Sequence, residues 1–213
     1  KYHDQDSEIN DLLGECGMKD FTRTARATAI ARTPSLLAPV TTGITAGTLL
    51  ETAQGWRKIE TLTAGDRVQT LDGGLAKILR LDRRILSPEA ETALVHVPGG
   101  SLDTCSDLLL LPGQHLLLDT LNDPSLGGAP FALLAARALI GMAGVHRYYH
   151  PKAMEVLIPM FADEEVVYAN SGLLLHCPSV IDGATSFPEN SFFPRLGAAD
   201  ARSFLLRRQA LLA

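Results

Sequence analysis

Residues 46–74 read AGTLLETAQGWRKIETLTAGDRVQTLDGG, in which short apolar runs alternate with turn residues. GTLLETA predicts a strand, Gln54-Gly55 a tight turn, and WRKIETL the partner strand of a hairpin. RVQTL (67–71) predicts a further strand, and the turns on either side of it both contain Gly and Asp, residues that suit tight turns. The stretch therefore predicts antiparallel β-structure.

Short apolar runs separated by turn residues continue as far as residue 177. The further predicted strands are residues 76–84, 92–98, 107–112, 114–119, 154–161, 164–169 and 173–177. One segment breaks this pattern: PFALLAARALIGM (130–142) begins with Pro and continues with strong helix formers, which predicts a helix. The whole pattern favours a sandwich-like or barrel-like β domain over alternating β–α units.

We expect three parts in the chain: an N-terminal helical and basic arm (1–37), a β domain (38–180), and a C-terminal loop and helix (181–213). In the arm, apolar residues recur at helical spacing, and TRTARATAIART (22–33) follows them. The last segment predicts a helix whose Ala201, Phe204, Leu205, Leu211 and Leu212 form one apolar stripe.

Both terminal segments carry apolar side chains that must pack on the β domain or on another protein. We expect at least one of them to bind another protein chain. The predicted partner-binding residues are Ile9, Leu12, Leu13, Phe204, Leu205, Leu211 and Leu212.

Charge and the distribution of apolar residues argue against nucleic-acid binding, a membrane span and a signal peptide. The net charge is −5 and the isoelectric point about 5.7, so no nucleic-acid binding is expected. The longest apolar stretch (130–145) is interrupted by Arg137 and is too short to span a bilayer. The first residues, KYHDQDSEIN, are polar and acidic and do not resemble a signal peptide. We expect a soluble protein, and the sequence predicts no particular compartment.

No metal or cofactor site is predicted. The three cysteines, Cys16, Cys105 and Cys177, are widely spaced and form no CxxC pair, so buried free thiols are expected. His146 and His150 are four residues apart, but two histidines lack the further ligands of a metal centre.

The 46–74 stretch closely resembles the opening of bacterial Hint (hedgehog/intein) domains. The matching positions are Ile59-Glu60-Thr61-Leu62, Gly65-Asp66, Val68, Thr70, Asp72, Gly73 and Gly74. PGQHLLL (112–118) is similar to the His-bearing strand of that family, EEVVYANSG (164–172) to its closing strands, and FALLAARALIG (131–141) to a helix-like connector. The resemblance covers residues 43–177. It implies a mainly β, pseudo-symmetric, barrel-like or horseshoe-like Hint fold with short flanking helices.

The resemblance also implies where autoprocessing groups would lie. A Hint domain begins with Cys or Ser, which attacks the preceding carbonyl, and a His three residues after a Thr assists the scissile amide. Here the nucleophile position falls on Gly43, four residues before Gly47. His115 occupies the His position, but Pro112 replaces the Thr.

The closing positions of the family are also changed. Inteins end in a His-Asn pair, whereas the nearest pair here is His176-Cys177, with no Asn between histidine and nucleophile. Two hypotheses follow. In the first, a degenerate, non-processing domain serves as a protein-binding or assembly module, within a larger complex, and His115 is a vestigial core histidine. In the second, it is still an autoprocessing or hydrolytic domain, using His115 or Cys177, with the adjacent His176, in a changed mechanism. The missing side chain at Gly43 favours the first hypothesis and argues against an enzyme.

Overall fold

The computed structural model describes residues 41–88, 92–121, 123–126, 128–182 and 191–212, apart from the side chains of Pro124, Leu211 and Leu212. Residues Val40–Ala213 belong to one compact unit. The predicted helix and basic segment within residues 1–37 lie outside the described residues.

Fourteen strands and one α-helix are present in the described chain. They are β1 (Ile44–Thr45), β2 (Leu49–Thr52), β3 (Gly55–Lys58), β4 (Arg67–Thr70), β5 (Gly74–Lys77), β6 (Arg80–Leu86), β7 (Leu94–Val97), β8 (Leu108–Leu110), β9 (His115–Asp119), β10 (Phe131–Ala135), β11 (His146–Tyr148), β12 (Met154–Met160), β13 (Glu165–Ala169), β14 (Leu173–Cys177) and α1 (Ala198–Leu212). Three short 3₁₀ turns cover Ile59–Thr61, Pro124–Leu126 and Ala136–Leu139. The mainly β prediction is confirmed.

The strands form two antiparallel sheets. The first has six strands in the order β11-β7-β8-β1-β12-β6. The second has eight, in the order β10-β9-β14-β13-β2-β4-β5, and β3 pairs with β2 beside this path. Among the described strands neither sheet closes on itself, so the architecture is a pair of open sheets and not a closed barrel.

Apolar side chains from both sheets share one core. Ile44 of β1, Leu50 of β2, Leu110 of β8 and Leu175 of β14 are at most 1% exposed and belong to the same cluster. The strands β2 and β4 alternate buried and less buried residues, which is the pattern of a strand with one face on the core. Burial of these faces is the main stabilising contribution to the fold.

The single strand predicted over residues 76–84 is two strands. β5 ends at Lys77 in the eight-stranded sheet, and β6 begins at Arg80 in the six-stranded sheet. Between them, the Ile78 N–H donates to Asp66 O (2.9 Å) and the Leu79 N–H to Met160 O (2.9 Å). The chain therefore crosses from one sheet to the other in two residues, and the alternating pattern in the sequence passes through this break unchanged.

The helix predicted over residues 130–142 is wrong. Residues Phe131–Ala135 form β10, which pairs with all of β9, and a 3₁₀ turn follows at Ala136–Leu139. On its other side, Leu133 exchanges backbone hydrogen bonds with Pro194 and Leu196. These tertiary hydrogen bonds outweigh the helix propensity of an Ala- and Leu-rich segment, which is a weak preference.

The predicted C-terminal helix is confirmed as α1, and it packs on the β domain. Ala201, Phe204 and Leu205 are 1%, 3% and 2% exposed and lie in the common core. Arg207 forms an ion pair with Asp123 (2.7 Å), which fixes the helix further. In the described part of the chain, no helix is long and apolar enough to cross a lipid bilayer.

Candidate functional site

The nucleophile position, Gly43, is closed to a side chain. Gly43 has a φ of +134°, a backbone conformation that residues with a Cβ rarely adopt. A Cβ at this position would lie 2.5 Å from Val156 Cγ1 and 3.1 Å from Ile158 Cγ1, both in β12. Val156 is fully buried and Ile158 is 3% exposed, so neither side chain can turn into solvent. Glycine is therefore the residue that this backbone accepts.

Gln114 connects Gly43 to the strand that carries His176. Gln114 Oε1 accepts hydrogen bonds from the Gly43 N–H (3.0 Å) and the Thr42 hydroxyl (3.1 Å). Its Nε2 donates to the carbonyl oxygens of His176 (2.8 Å) and His115 (3.1 Å). Because Gln114 is 2% exposed, these bonds form in a dry environment, where leaving one of them unpaired would be costly.

His115 is the first residue of β9 and lies beside β14. Leu117 pairs with Leu174 and Leu116 with Leu175, a register that continues to His115 and His176. Burial lowers the pKa of His115 to about 4, and electrostatic interactions with Arg195 and His176 act in the same direction. His115 is therefore neutral at pH 7.

His176 forms a buried pair with Glu164. Its Nε2 lies 3.0 Å from Glu164 Oε2, and the two side chains are 1% and 12% exposed. Glu164 also accepts hydrogen bonds from the Ser191 hydroxyl and the Phe192 N–H. Burial alone would raise the pKa of Glu164, but the hydrogen bond from His176 and those from Phe192 and Ser191 outweigh it and lower the pKa. Glu164 thus links the segment after residue 190 to His176 of β14.

Cys177 is a buried free thiol, as the sequence predicted. It is 1% exposed, and burial raises the pKa of its thiol far above the ordinary value. A thiol in this state carries almost no thiolate at neutral pH, so it is a poor nucleophile. Cys105 is exposed, contrary to the expectation of a buried thiol, because it lies in a surface loop between β7 and β8. Cys16 lies outside the described residues.

The predicted partner-binding residues fall into three groups. Phe204 and Leu205 are in the core of the domain itself, which corrects the expectation that they face a partner. They are buried because α1 packs against the 3₁₀ turn at Ala136–Leu139. Leu211 and Leu212 end α1, but their side chains are not described, and Ile9, Leu12 and Leu13 lie outside the described residues.

His146 and His150 do not share a helix face. His146 is in strand β11, and His150 follows it in a loop. Among the described residues, no group of three His, Cys, Asp or Glu side chains has the geometry of a metal site.

The structure brings together Gly43, His115 and His176, and it adds two residues that the sequence did not indicate, Gln114 and Glu164. The sequence indicated Gln114 only as a polar residue that stands between Pro112-Gly113 and an apolar strand. Glu164 gave no signal, since an acidic residue in the turn ADEE is typical of solvent-exposed loops. The arrangement provides hydrogen bonds, among them the buried contact between His176 and Glu164, but no activated nucleophile.

Three solved structures are similar to this chain at low sequence identity. A splice-inactive variant of the AceL NrdHF class 3 split intein is 13% identical, with a TM-score of 0.42, over 64% of this chain and 97% of the other. A bacterial intein-like domain from Clostridium thermocellum is 18% identical, with a TM-score of 0.42, over 63% and 98%. The MchDnaB-1 intein is 12% identical, with a TM-score of 0.42, over 62% and 98%.

The search of curated proteins found no match. The family model described as the Hint domain matches residues 42–179, which is more than half of the chain. The matched range begins one residue before Gly43 and contains the site described above. The chain therefore belongs to the Hint domain family.

Proposed function

We propose that this chain is a non-processing Hint domain that acts as a protein-binding or assembly module within a larger complex. The claim that the domain is non-processing rests on Gly43, where the surrounding atoms leave no space for a side chain. The residue lacks an attacking atom, and a Cβ would lie 2.5 Å from Val156 Cγ1. Self-cleavage by acyl shift requires a side chain at this position.

The hydrogen bond at the Gly43 amide also argues against cleavage. When an acyl group leaves an amide nitrogen, a proton has to reach that nitrogen. Gln114 Oε1 instead accepts the hydrogen of the Gly43 N–H, so it has no proton to give. His115, whose pKa is about 4, is neutral at pH 7 and is a weak proton donor there. These contacts stabilise the intact amide of Gly43 and deliver no proton to its nitrogen.

The alternative function is autoprocessing with a changed nucleophile. Cys177 would have to attack from a fully buried position, and burial has raised its pKa well above neutral pH. His176 is occupied by its pair with Glu164. None of these contacts favours the alternative.

Accurate mass measurement tests the non-processing half. The purified full chain is incubated for days at neutral pH, with and without hydroxylamine or a strong thiol, since both reagents trap esters and thioesters. We expect one intact species under every condition. A fragment that ends at residue 42 would show that the amide before Gly43 is attacked, and it would refute the proposal.

The claim of protein binding concerns the N-terminal arm, because Phe204 and Leu205 of α1 already pack in the core of the domain. We propose that Ile9, Leu12 and Leu13 contact the partner chain. Two purified full-length variants are used as baits for chemical cross-linking. The first carries both Leu12→Asp and Leu13→Asp, and the control carries Ser7→Asp. We expect the double variant to lose specific cross-linked chains that the control retains. Equal recovery by both variants would exclude this segment as the contact.

A further inference from the structure

One face of the six-stranded sheet carries a row of polar and aromatic side chains. His146 of β11 pairs with His96 of β7, and His96 pairs with Leu109 of β8. Thr45 of β1 joins the row, because its hydroxyl donates to Leu109 O at 2.7 Å. Residues opposite one another in antiparallel strands project to the same face. Tyr148, two residues after His146, is therefore on this face too.

A cavity of about 430 Å³ lies at this face. The wall residues with functional groups are Thr45, Thr48, His96, Asp107 and Tyr148, and none of the lining residues is Lys or Arg. Its volume is within the range of small-ligand sites, roughly 300–1,000 Å³. The cavity therefore has room for a small ligand or a single side chain.

Asp107 gives the cavity its charge. The Gly99 N–H and His96 both donate hydrogen bonds to its carboxylate, and both lower the pKa of Asp107. His96 Nε2 lies 3.0 Å from Asp107 Oδ2. Because an ionised carboxylate can only accept, His96 Nε2 donates this hydrogen bond.

Two buried polar atoms of the wall residues have no hydrogen-bond partner among the described residues. They are the Thr48 hydroxyl oxygen and His96 Nδ1. Thr48 is 2% exposed. Buried polar atoms in native proteins are almost always paired, so an unpaired hydroxyl and an unpaired ring nitrogen in one wall point to a ligand with polar groups.

From this wall we propose that the cavity binds an organic cation, an alkylammonium or guanidinium group. The carboxylate of Asp107 only accepts and the Thr48 oxygen can accept, and such a cation offers only donors. The ring of Tyr148, whose centroid lies 6.2 Å from that of His96, adds an aromatic face of the kind that attracts cations. An anion would be repelled by Asp107, and no lining Lys or Arg would offset this.

The cation can come from a free amine or from a Lys or Arg side chain of a peptide, and titration calorimetry of the full chain distinguishes the two. The probes are agmatine and the blocked peptide acetyl-Gly-Arg-Gly-amide. We expect saturable binding of at least one probe. Agmatine binding as tightly as the peptide indicates a free amine, and a peptide that binds about tenfold tighter indicates a protein partner.

Three variants make this test specific. Asp107→Asn should weaken binding about tenfold, because it removes the charge and keeps an acceptor for the Gly99 N–H. Thr48→Val, which keeps the side-chain shape, should also weaken it. The control Asp163→Asn removes the same charge from an exposed residue outside the cavity and should leave affinity unchanged. No saturation by either probe up to about 10 mM, or equal losses in the two Asp variants, would overturn the proposal.

Discussion

Substitution of Gly43 should destabilise the domain without creating a nucleophile. In Gly43→Cys, the new residue must adopt a φ near +134°, which costs about 1–3 kcal/mol for a residue with a Cβ. Its Cβ must also push away Val156 Cγ1, 2.5 Å distant, and overpacking of this kind costs about 1–3 kcal/mol. The sum is about 2–6 kcal/mol, a large part of the stability of an ordinary domain.

Chemical and thermal unfolding measure this loss. For a domain of this size, about 2–6 kcal/mol corresponds to a fall in melting temperature of roughly 4–24 °C. Intact mass in the presence of hydroxylamine measures cleavage in the same samples. We expect the melting temperature to fall and the chain to stay intact, since a thiol forced into this position is not held in an attacking geometry and Gln114 still accepts the amide hydrogen.

Two further variants separate the backbone contribution from the packing contribution. Gly47 has a φ of +93°, but no atom lies within 4 Å of a Cβ placed there. Gly47→Ala therefore reports backbone strain alone, and Gly43→Ala should lose more stability. Adding Val156→Ala removes the clashing methyl group, so the double variant should lose less than the sum of the two single variants. Equal losses at Gly43 and Gly47, or efficient cleavage by Gly43→Cys, would refute the reasoning.

Three other predictions concern single side chains. The folded pKa of His115, about 4, is below its unfolded value of 6.5, so the folded state binds fewer protons and the free energy of unfolding should fall as the pH drops from 6.5 to 4. His115→Gln should make the free energy of unfolding, measured by urea titration, less dependent on pH in this range. An unchanged pH dependence would contradict the assignment. Phe204→Ala should lower the free energy of unfolding by about 3–5 kcal/mol in chemical denaturation. The control Leu206→Ala, at a position 51% exposed, should lower it by less than about 0.5 kcal/mol. Similar losses of stability in the two variants would mean that α1 is not docked through Phe204. Gln114→Ala leaves the Gly43 N–H and the His176 carbonyl without this partner and should cost about 1–3 kcal/mol, and a loss below about 0.5 kcal/mol would show that other groups replace it.

The hairpin and the turns of residues 46–74 could be predicted because their order is local. Strands β2, β3 and β4 follow directly from alternating burial and from turns that contain Gly. Strand β10 could not be predicted, since its apolar residues are buried on both faces and their composition favours a helix. Its strand conformation comes from pairing with β9 and from hydrogen bonds to residues 194 and 196, and these partners are set by the fold as a whole.

The site was predictable only in part. Gly43 and His115 were found through the family resemblance. The closed space around Gly43 depends on Val156, more than a hundred positions away in the chain. The pairing of His176 with Glu164 and the role of Gln114 likewise depend on which strands lie side by side. Sequence indicates which chemical groups are available, and the long-range pairing decides which of them meet.

The same long-range pairing has a consequence for synthesis of the chain. Ile44 of β1 pairs with Leu157 of β12, and Leu50 of β2 pairs with Ala169 of β13. At roughly 5–20 residues per second, a ribosome needs roughly 6–24 s to pass from Leu50 to Ala169. During that interval the edges of β1 and β2 remain open to incorrect partners, a period in which chaperones would be of most use. Folding of this domain is therefore expected to be slow and to be completed only after Ala169 has been synthesised.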